Sequence, residues 1–227
     1  MTKPVLAEYM RERHVGIDRR PQEIGPFITI SREYGCHGFS LGLLLLDILN
    51  ESQPPGTSWQ IYHRDILTRL ANETNLGEDV LQRELMTPPS LWTEFFRTFS
   101  REQLPTGGEI LHRIHTIIRV LAIQGHAIVV GQGSAAATMD IPNGMALRIE
   151  APLDWRVRQV SFREGLSESE ARERIHQVEQ ERRYLSHLYE QECPRKPAYH
   201  MVYDASVFTL AQIAQSVVHM MQLRKMV

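Results

Sequence analysis

A glycine-rich segment near the amino end of the sequence carries the residue types that bind phosphate. It reads FITISREYGCHGFSLG from Phe27 to Gly42. The short apolar run predicts a strand and the apolar spacing after the loop predicts a helix, so the loop precedes a helix N-terminus. Backbone N–H groups at such an end attract a phosphate. We therefore predict that the loop binds nucleotide phosphates through Gly35, Cys36, His37, Gly38, Phe39 and Ser40.

The charged position of this loop differs from that of the full phosphate-loop signature, G-x-x-x-x-G-K-[ST]. Arg32 stands where the first Gly belongs, Gly38 replaces the Lys, and Phe39 replaces the hydroxyl residue. Of the 25 basic residues only three are lysines, at positions 3, 196 and 225. Any phosphate clamp must therefore use arginine, whose planar fork binds phosphate oxygens in pairs and keeps its charge when desolvated.

Two arginines and one glutamate are the candidate catalytic residues. Arg32 begins the loop and is interpreted as a phosphate clamp, with a surface ion pair to Glu33 as the alternative. Arg182 falls on the inward seam of a predicted helix, where an arginine needs an anion. Glu179, one turn earlier, is placed to orient Arg182, and the alternative is an outward-reaching Arg182 in a simple pair with Glu179. The apolar residues that define the seam are Ala171, Ile175, Val178 and Leu185.

Alternating strands and helices must position these groups. Runs that are apolar throughout predict strands covered on both faces, hence a parallel sheet between two helix layers in a doubly wound α/β fold. A capping box of Ser167 and Glu170 begins one helix, and Gly125 ends another. The predicted strands are 27–31, 59–62, 127–130, 145–149 and 201–203, and the predicted helices follow Gly38 and Gly108, cover 153–164 and 168–189, and begin at Leu210.

Composition limits the classes of function. A chain of 227 residues with a formal charge of -2 and a pI near 6.6 has no global basic field, so we expect no nucleic-acid partner. Two cysteines without a C-x-x-C pair predict neither a disulfide framework nor zinc, and His112 and His115 lack a third ligand. No apolar run approaches the roughly 18 residues of a membrane span, and the charged first residues do not resemble a signal peptide. We expect a cytoplasmic protein with no membrane partner.

Six segments together resemble the cytidylate kinase-like family, a divergent branch of the nucleoside monophosphate kinases. They occur in the expected order between residues 27 and 222, although each is weak alone. The segments are ITISREYG at Ile28, IYHRDIL at Ile61, IVVGQGS at Ile128, EAPLDWRVRQVSFREGLSESEA at Glu150, VEQERRY at Val178 and AYHMVYDAS at Ala198.

The resemblance implies a P-loop NTPase-type three-layer sandwich with a five-stranded parallel sheet, and transfer of a phosphoryl group from ATP, with Mg²⁺, to a CMP-like or dCMP-like acceptor. Residues 1–25 hold a short helical pattern and then a polar stretch, and we interpret them as an appended arm. The kinase domain is expected over 26–227, with a helical acceptor-side insertion over 75–106 and a lid over about 153–198. Ser40 is the candidate for Mg²⁺, one place beyond the usual hydroxyl position. The acceptor-binding residues it implies are Arg64, Asp65, Gln132, Arg156 and Arg163.

The chain departs from this family at positions that carry charge or lie close to phosphate. Family members read SREYGSGGRE, so His37 replaces a Gly and Phe39 an Arg, while His63 replaces an Asp and Gln132 an Arg. These losses favour a second hypothesis, a nucleotide-binding protein with a sensing or scaffolding role and no turnover. A kinase for an acceptor other than a nucleotide is a third.

Two further segments leave more than one role open. Asp65 either binds the acceptor or caps a helix. The aromatic run over 91–99 is a base-stacking wall, a homodimer surface or simple packing.

Overall fold

The computed structural model describes residues 24–51, 58–63, 107–192 and 198–227. The arm up to residue 23, Arg64, Asp65, the insertion over 75–106 and its aromatic run over 91–99 therefore lie outside the described residues. The strands are β1 (Phe27–Arg32), β2 (Gln60–Tyr62), β3 (Ala127–Val130), β4 (Gly144–Glu150) and β5 (Met201–Asp204). The helices are α1 (Gly38–Glu51), α2 (Gly107–Gln124), α3 (Ser134–Ala137), α4 (Leu153–Glu164), α5 (Glu168–Glu192) and α6 (Leu210–Leu223).

All five strands run parallel in one sheet, in the order β2-β3-β1-β4-β5. Central β1 pairs with β3 from Phe27 opposite Ala127, and with β4 from Phe27 opposite Gly144. The predicted α/β class, with helices flanking a five-stranded parallel sheet, is confirmed. Because the strands are parallel, every carboxyl end lies at the same edge of the sheet, and the loops that follow β1, β2 and β3 meet there.

Alternating residues of β1 build a core on each face of the sheet, because successive strand side chains point to opposite sides. Ile28 and Ile30 pack in a cluster with residues of α1 and α6, such as Leu45 and Val217. Phe27 belongs to the cluster on the other face, with α2 residues. Burial on both faces explains why these strands are apolar throughout.

Element boundaries follow local signals that the sequence shows. The Ser167 hydroxyl accepts from the backbone N–H of Glu170 at 3.3 Å, and the Glu170 carboxylate accepts from the backbone N–H of Ser167 at 2.8 Å, which is the predicted capping box. Gly125 ends α2 with a left-handed φ of 76°. No helix in the described ranges has both the length and the apolar character needed to cross a membrane.

Candidate functional site

The loop between β1 and α1 presents backbone donors at the carboxyl edge of the sheet. The first α-helical hydrogen bond of α1 runs from the Leu41 N–H to the His37 carbonyl, at 3.1 Å. The N–H groups of Gly38, Phe39 and Ser40 therefore precede the first intrahelical donor and have no acceptor within the helix, so they are the groups that an anion would bind. Ser40 is exposed in this first turn.

Two loop residues hold left-handed conformations. Gly35 has a φ of 95° and lies against Arg156, where a Cβ would come within 3.1 Å of the Arg156 Cβ. His37 has a φ of 51°, which costs a residue with a Cβ about 1 kcal/mol. Its ring lies 3.3 Å from Gln159 Oε1 through Nε2 and meets Trp155 edge-on. The His37 side chain is thus held against α4.

The side chain of Arg32 crosses the loop and ends against the carboxyl end of β3. A Cβ at Gly38 would lie 2.9 Å from the Arg32 Cγ, and a Cβ at Gly131 would lie 2.0 Å from its Nη1. The Nη2 of Arg32 lies 3.4 Å from Nε2 of His63, which follows β2. The guanidinium therefore sits where the ends of β1, β2 and β3 meet, beside two glycines that leave it room.

A second guanidinium lies beside the first. Arg182 of α5 donates from Nη1 to the backbone carbonyl oxygen of Arg32 at 3.1 Å. Burial, and then the charge of Arg182, lower the pKa of Arg32 to about 9. Two adjacent cations in a partly buried position favour an anion between or beside them, because the anion offsets both their repulsion and their desolvation.

The turn after β3 brings Gln132 to the same edge. Gly131, Gln132 and Gly133 have φ values of 77°, 58° and 67°, so three successive residues are left-handed. The Gly131 N–H donates to the Ile30 carbonyl at 2.9 Å, which fixes this turn beside β1. Gln132 is thereby adjacent in the chain to the glycine that Arg32 touches.

Tyr34 joins the loop to both helices of the predicted lid. The guanidinium carbons of Arg163 and Arg182 each lie 5.4 Å from the centroid of its ring. The Tyr34 hydroxyl donates to Glu164 Oε1 at 2.5 Å, and Arg163 Nη2 pairs with the same oxygen at 2.6 Å. Burial and this hydrogen bond raise the pKa of Tyr34. The role of Tyr34 was not predictable from the sequence, because the residues that it contacts are more than 100 positions away in the chain.

Arg156 is occupied by the protein's own groups. It is only 6% exposed, and it donates from Nε to the Ala151 carbonyl at 2.9 Å and from Nη1 to the Tyr34 carbonyl at 3.3 Å. Its Nη1 also bonds the Glu179 carboxylate, and its Nε lies 3.4 Å from Glu33 Oε2. We assign Arg156 the role of holding α4 against the loop. The sequence could have indicated this structural role, because Arg156 falls on the buried face of α4 with Val157 and Val160.

The contact made by Glu179 differs from the expected one. The sequence predicts that Glu179 orients Arg182, three residues later on the same helix. In the structure Glu179 bonds Arg156 of α4, and Arg182 reaches the carbonyl of Arg32. The pairing joins α4, α5 and the loop, because it links α5 to the side chain that holds the Tyr34 carbonyl.

Phe39 and His63 form an aromatic pair at the mouth of the loop, with centroids 5.2 Å apart and a 45° tilt. Phe39 is 43% exposed. Cys36 is buried behind the loop, where burial and then Glu33 raise its pKa to about 12. The Cys36 thiol is therefore protonated and contributes packing rather than a nucleophile.

The structure brings together Arg32, Arg182, the loop and the turn containing Gln132, while Arg156, Arg163 and Glu179 hold the lid side. Within the described ranges, no three or more His, Cys, Asp and Glu side chains are grouped to hold a metal ion. Mg²⁺ commonly keeps its waters and binds through substrate phosphates with one or two protein ligands, and a hydroxyl such as that of Ser40 suits this mode.

Comparisons with known proteins identify the family of this chain. The model of the cytidylate kinase-like family matches residues 27–207. A crystal structure of an uncharacterized protein from Eubacterium ventriosum is similar, with 20% identity, a TM-score of 0.61 and coverage of 87% of this chain and 98% of that one. A shikimate kinase from Bacteroides thetaiotaomicron matches at 14% identity and a TM-score of 0.47, covering 88% and 98% of the two chains. No curated protein matches.

Proposed function

The chain belongs to the cytidylate kinase-like family, and from that membership we propose that it transfers a phosphoryl group from ATP to a nucleoside monophosphate, with CMP or dCMP as the acceptor. The observation that carries the proposal is the position of Arg182 beside Arg32 at the end of the phosphate loop. Phosphoryl transfer depends on offsetting negative charge on the transferred group, and two adjacent guanidinium groups supply that charge.

The loop and the two arginines have distinct roles in this proposal. The N–H groups of Gly38, Phe39 and Ser40 bind the donor phosphates at the N-terminus of α1. Arg32 and Arg182 bind oxygens of the transferred group, and Gln132 and Arg163 bind the acceptor. Mg²⁺, when bound with ATP, offsets charge on the phosphate oxygens, and Ser40 is the described side chain placed to approach it. The acceptor phosphate is itself the nucleophile, so no general base is required.

The residues present fit an anionic ligand. Burial and the charge of Arg182 lower the pKa of Arg32 to about 9, so the positive charge of Arg32 is unfavourable in the free protein. A bound phosphate would offset this charge without having to displace a carboxylate of the protein. A Cβ at Gly38 or Gly131 would fill the space that the Arg32 side chain occupies. The absence of a Cβ at both glycines thus leaves the space in which the Arg32 side chain lies.

A second candidate function is nucleotide binding without transfer, in a sensing or scaffolding role. The contact that favours it is the Phe39–His63 pair, which occupies the loop mouth with rings 5.2 Å apart. The family places an arginine and an aspartate at these positions. An aromatic pair there can stack on a base but supplies neither a guanidinium for a phosphate nor a carboxylate for an acceptor.

An assay of ATP consumption by the full chain separates the two functions. With Mg²⁺ present, CMP and dCMP are offered as acceptors alongside AMP, UMP and GMP, and the product is identified as the diphosphate. We expect turnover with a cytidine nucleotide and a loss of at least about 100-fold in kcat for Arg182→Ala, because the variant lacks a positive charge that offsets the negative charge of the transferred group.

The matched control is Arg183→Ala, which removes the exposed neighbour of Arg182 on the same helix. Its kcat should stay within about twofold of the unmodified protein. ATP binding without transfer to any monophosphate overturns the kinase function and supports the sensing function. Transfer that survives Arg182→Ala overturns the role of Arg182.

A further inference from the structure

A cavity of about 190 Å³ opens beside β1 and β4, at a place where none of the phosphate-site residues lies. Thr29 and Ala146, which are partners in the register of β1 and β4, are in its lining. Much of the wall is apolar and includes Phe27, Ala135, Met139 and Ile141, and the polar residues Thr138 and Asn143 also line it. A cavity of about 150 Å³ holds benzene, so this one accommodates a small ring.

One polar atom in the wall has no partner. The Thr29 side chain is 0% exposed, and its hydroxyl makes no hydrogen bond to any described residue. A buried hydroxyl without a partner costs about 1 to 3 kcal/mol. A ligand that brings a hydroxyl or carbonyl group to Thr29 removes this cost.

Two residues with N–H donors also line the cavity, His200 and Arg224. His200 accepts the Ala146 N–H at Nδ1, at 2.8 Å, so Nδ1 carries no proton and Nε2 is the N–H donor of the neutral ring. Arg224 lines the cavity as well and uses one Nη1 bond for the Gly144 carbonyl, at 3.0 Å. No carboxylate pairs with Arg224 within the described ranges, so its charge remains for an anion.

We propose that this cavity binds a small aromatic or similarly compact carboxylic acid. The apolar body fills the cavity, a hydroxyl opposite the carboxylate meets Thr29, and the carboxylate binds Arg224 and Nε2–H of His200. Such a site combines an apolar wall with a few directed polar groups, as small-molecule sites generally do. The cavity is distinct from the phosphate loop, so this proposal does not depend on the phosphotransferase activity.

The probes are benzoate, 4-hydroxybenzoate and benzyl alcohol, and their binding to the full chain is measured by calorimetry and ligand-observed NMR. We expect 4-hydroxybenzoate to bind with a Kd of about 1 mM. Benzoate should bind several-fold more weakly, since only 4-hydroxybenzoate gains a hydrogen bond to Thr29. Benzyl alcohol, which lacks the charge, should bind at least about tenfold more weakly than benzoate.

Two conservative variants assign the contacts. Thr29→Val keeps the shape of the side chain and should abolish the preference for 4-hydroxybenzoate over benzoate. Arg224→Gln keeps a donor for the Gly144 carbonyl and should weaken both acids about tenfold without affecting benzyl alcohol. Thermal unfolding of each variant verifies that it is folded before binding is compared.

Arg32→Gln and saturating ATP serve as controls for the phosphate site, and neither should alter binding of the acids. Displacement by ATP, or loss of binding in Arg32→Gln, would place the probes at the phosphate loop and overturn the proposal. Absence of saturable binding up to about 10 mM, as expected if the cavity holds only water, overturns it as well. An unchanged affinity in Arg224→Gln would exclude the assigned carboxylate contact.

Discussion

The guanidinium of Arg182 donates a hydrogen bond to the backbone carbonyl oxygen of Arg32 at 3.1 Å, although the two residues are 150 positions apart in the sequence. This bond ties α5 to the end of β1 and sets two cations side by side. The bond uses the backbone carbonyl of Arg32 and leaves the Arg32 guanidinium, whose pKa burial and the charge of Arg182 lower, as a positive group that a phosphate would stabilise.

Replacing Arg32 by Met tests whether its charge is unfavourable without a ligand. The folded pKa of about 9 lies below the ordinary 12.5, so near neutral pH both the folded and unfolded states are protonated and the folded state carries the full cost of burial. We expect Arg32→Met to melt at a higher temperature than the unmodified protein in phosphate-free buffer. ATP or pyrophosphate should raise the melting temperature of the unmodified protein and not that of the variant, because the affinity of the variant for these anions should be at least about tenfold lower.

The control for this comparison is Arg158→Met, which removes an exposed arginine of α4. It should leave both the melting temperature and its response to pyrophosphate unchanged. A lower melting temperature for Arg32→Met without anion would show that the Arg32 charge stabilises the free protein.

Restoring an arginine at position 39 should strengthen donor binding. Phe39 is 43% exposed at the first turn of α1, so a longer polar side chain is tolerated there. We expect Phe39→Arg to lower the Kd for ATP by about tenfold, since one charge-assisted contact is gained. Leu43→Arg places the same charge one turn later, at a residue that is 40% exposed. Equal effects of the two substitutions in calorimetry would mean that the gain reflects net charge alone.

Removing the charge of Glu179 should destabilise the lid. The Arg156 side chain is 8% exposed and bonds Glu179, and its Nε lies 3.4 Å from Glu33 Oε2. A neutral residue at position 179 therefore removes one of the two carboxylates near this buried cation. We expect Glu179→Gln to lower the free energy of unfolding by about 2 kcal/mol, measured by urea denaturation. Glu173→Gln, at an exposed position of the same helix, should change it by less than about 0.5 kcal/mol. Equal values for the two variants would show that Arg156 is held without Glu179.

The acid side of the stability profile should report on His200. Burial, and then Arg224, hold the pKa of His200 below its ordinary 6.5. Protonation therefore favours the unfolded chain, so the contribution of His200 to stability is complete above that value and is lost as the pH falls through the folded pKa. Between about pH 7 and pH 5, the free energy of unfolding should fall more steeply for the unmodified protein than for His200→Asn, whose amide oxygen accepts the Ala146 N–H at any pH. Parallel profiles would contradict this assignment.

The sheet was predictable from sequence because its strands are short, mainly apolar runs bounded by glycine or polar residues. All five predicted strands are present, and β4 extends one residue beyond the prediction at each end, to Gly144 and Glu150. Helix α3 escaped prediction since four residues, SAAA, are too few to show a helical period. Helix α5 continues to Glu192 beyond its predicted end at 189, since no glycine or proline stops it there.

The site was less predictable, because its contacts join residues that are distant in the chain. Spacing within one helix identifies neighbours three or four residues apart, so it suggested a contact between Glu179 and Arg182. The observed partner of Glu179 is Arg156, 23 positions earlier and on another helix. The position of Tyr34 beneath two guanidinium groups depends in the same way on how α4 and α5 pack on the loop.

Gly131 leaves the Arg32 guanidinium its place, since even a methyl group there would lie 2.0 Å from Nη1. The two positions are consequently epistatic. An alanine at 131 displaces the arginine and removes its charge from the loop, whereas the same alanine in a chain already lacking Arg32 meets no such obstacle and retains only the strain of a left-handed φ. A chain that keeps the Arg32 guanidinium in this position therefore also keeps Gly131, whereas a chain that lacks Arg32 is released from that steric constraint.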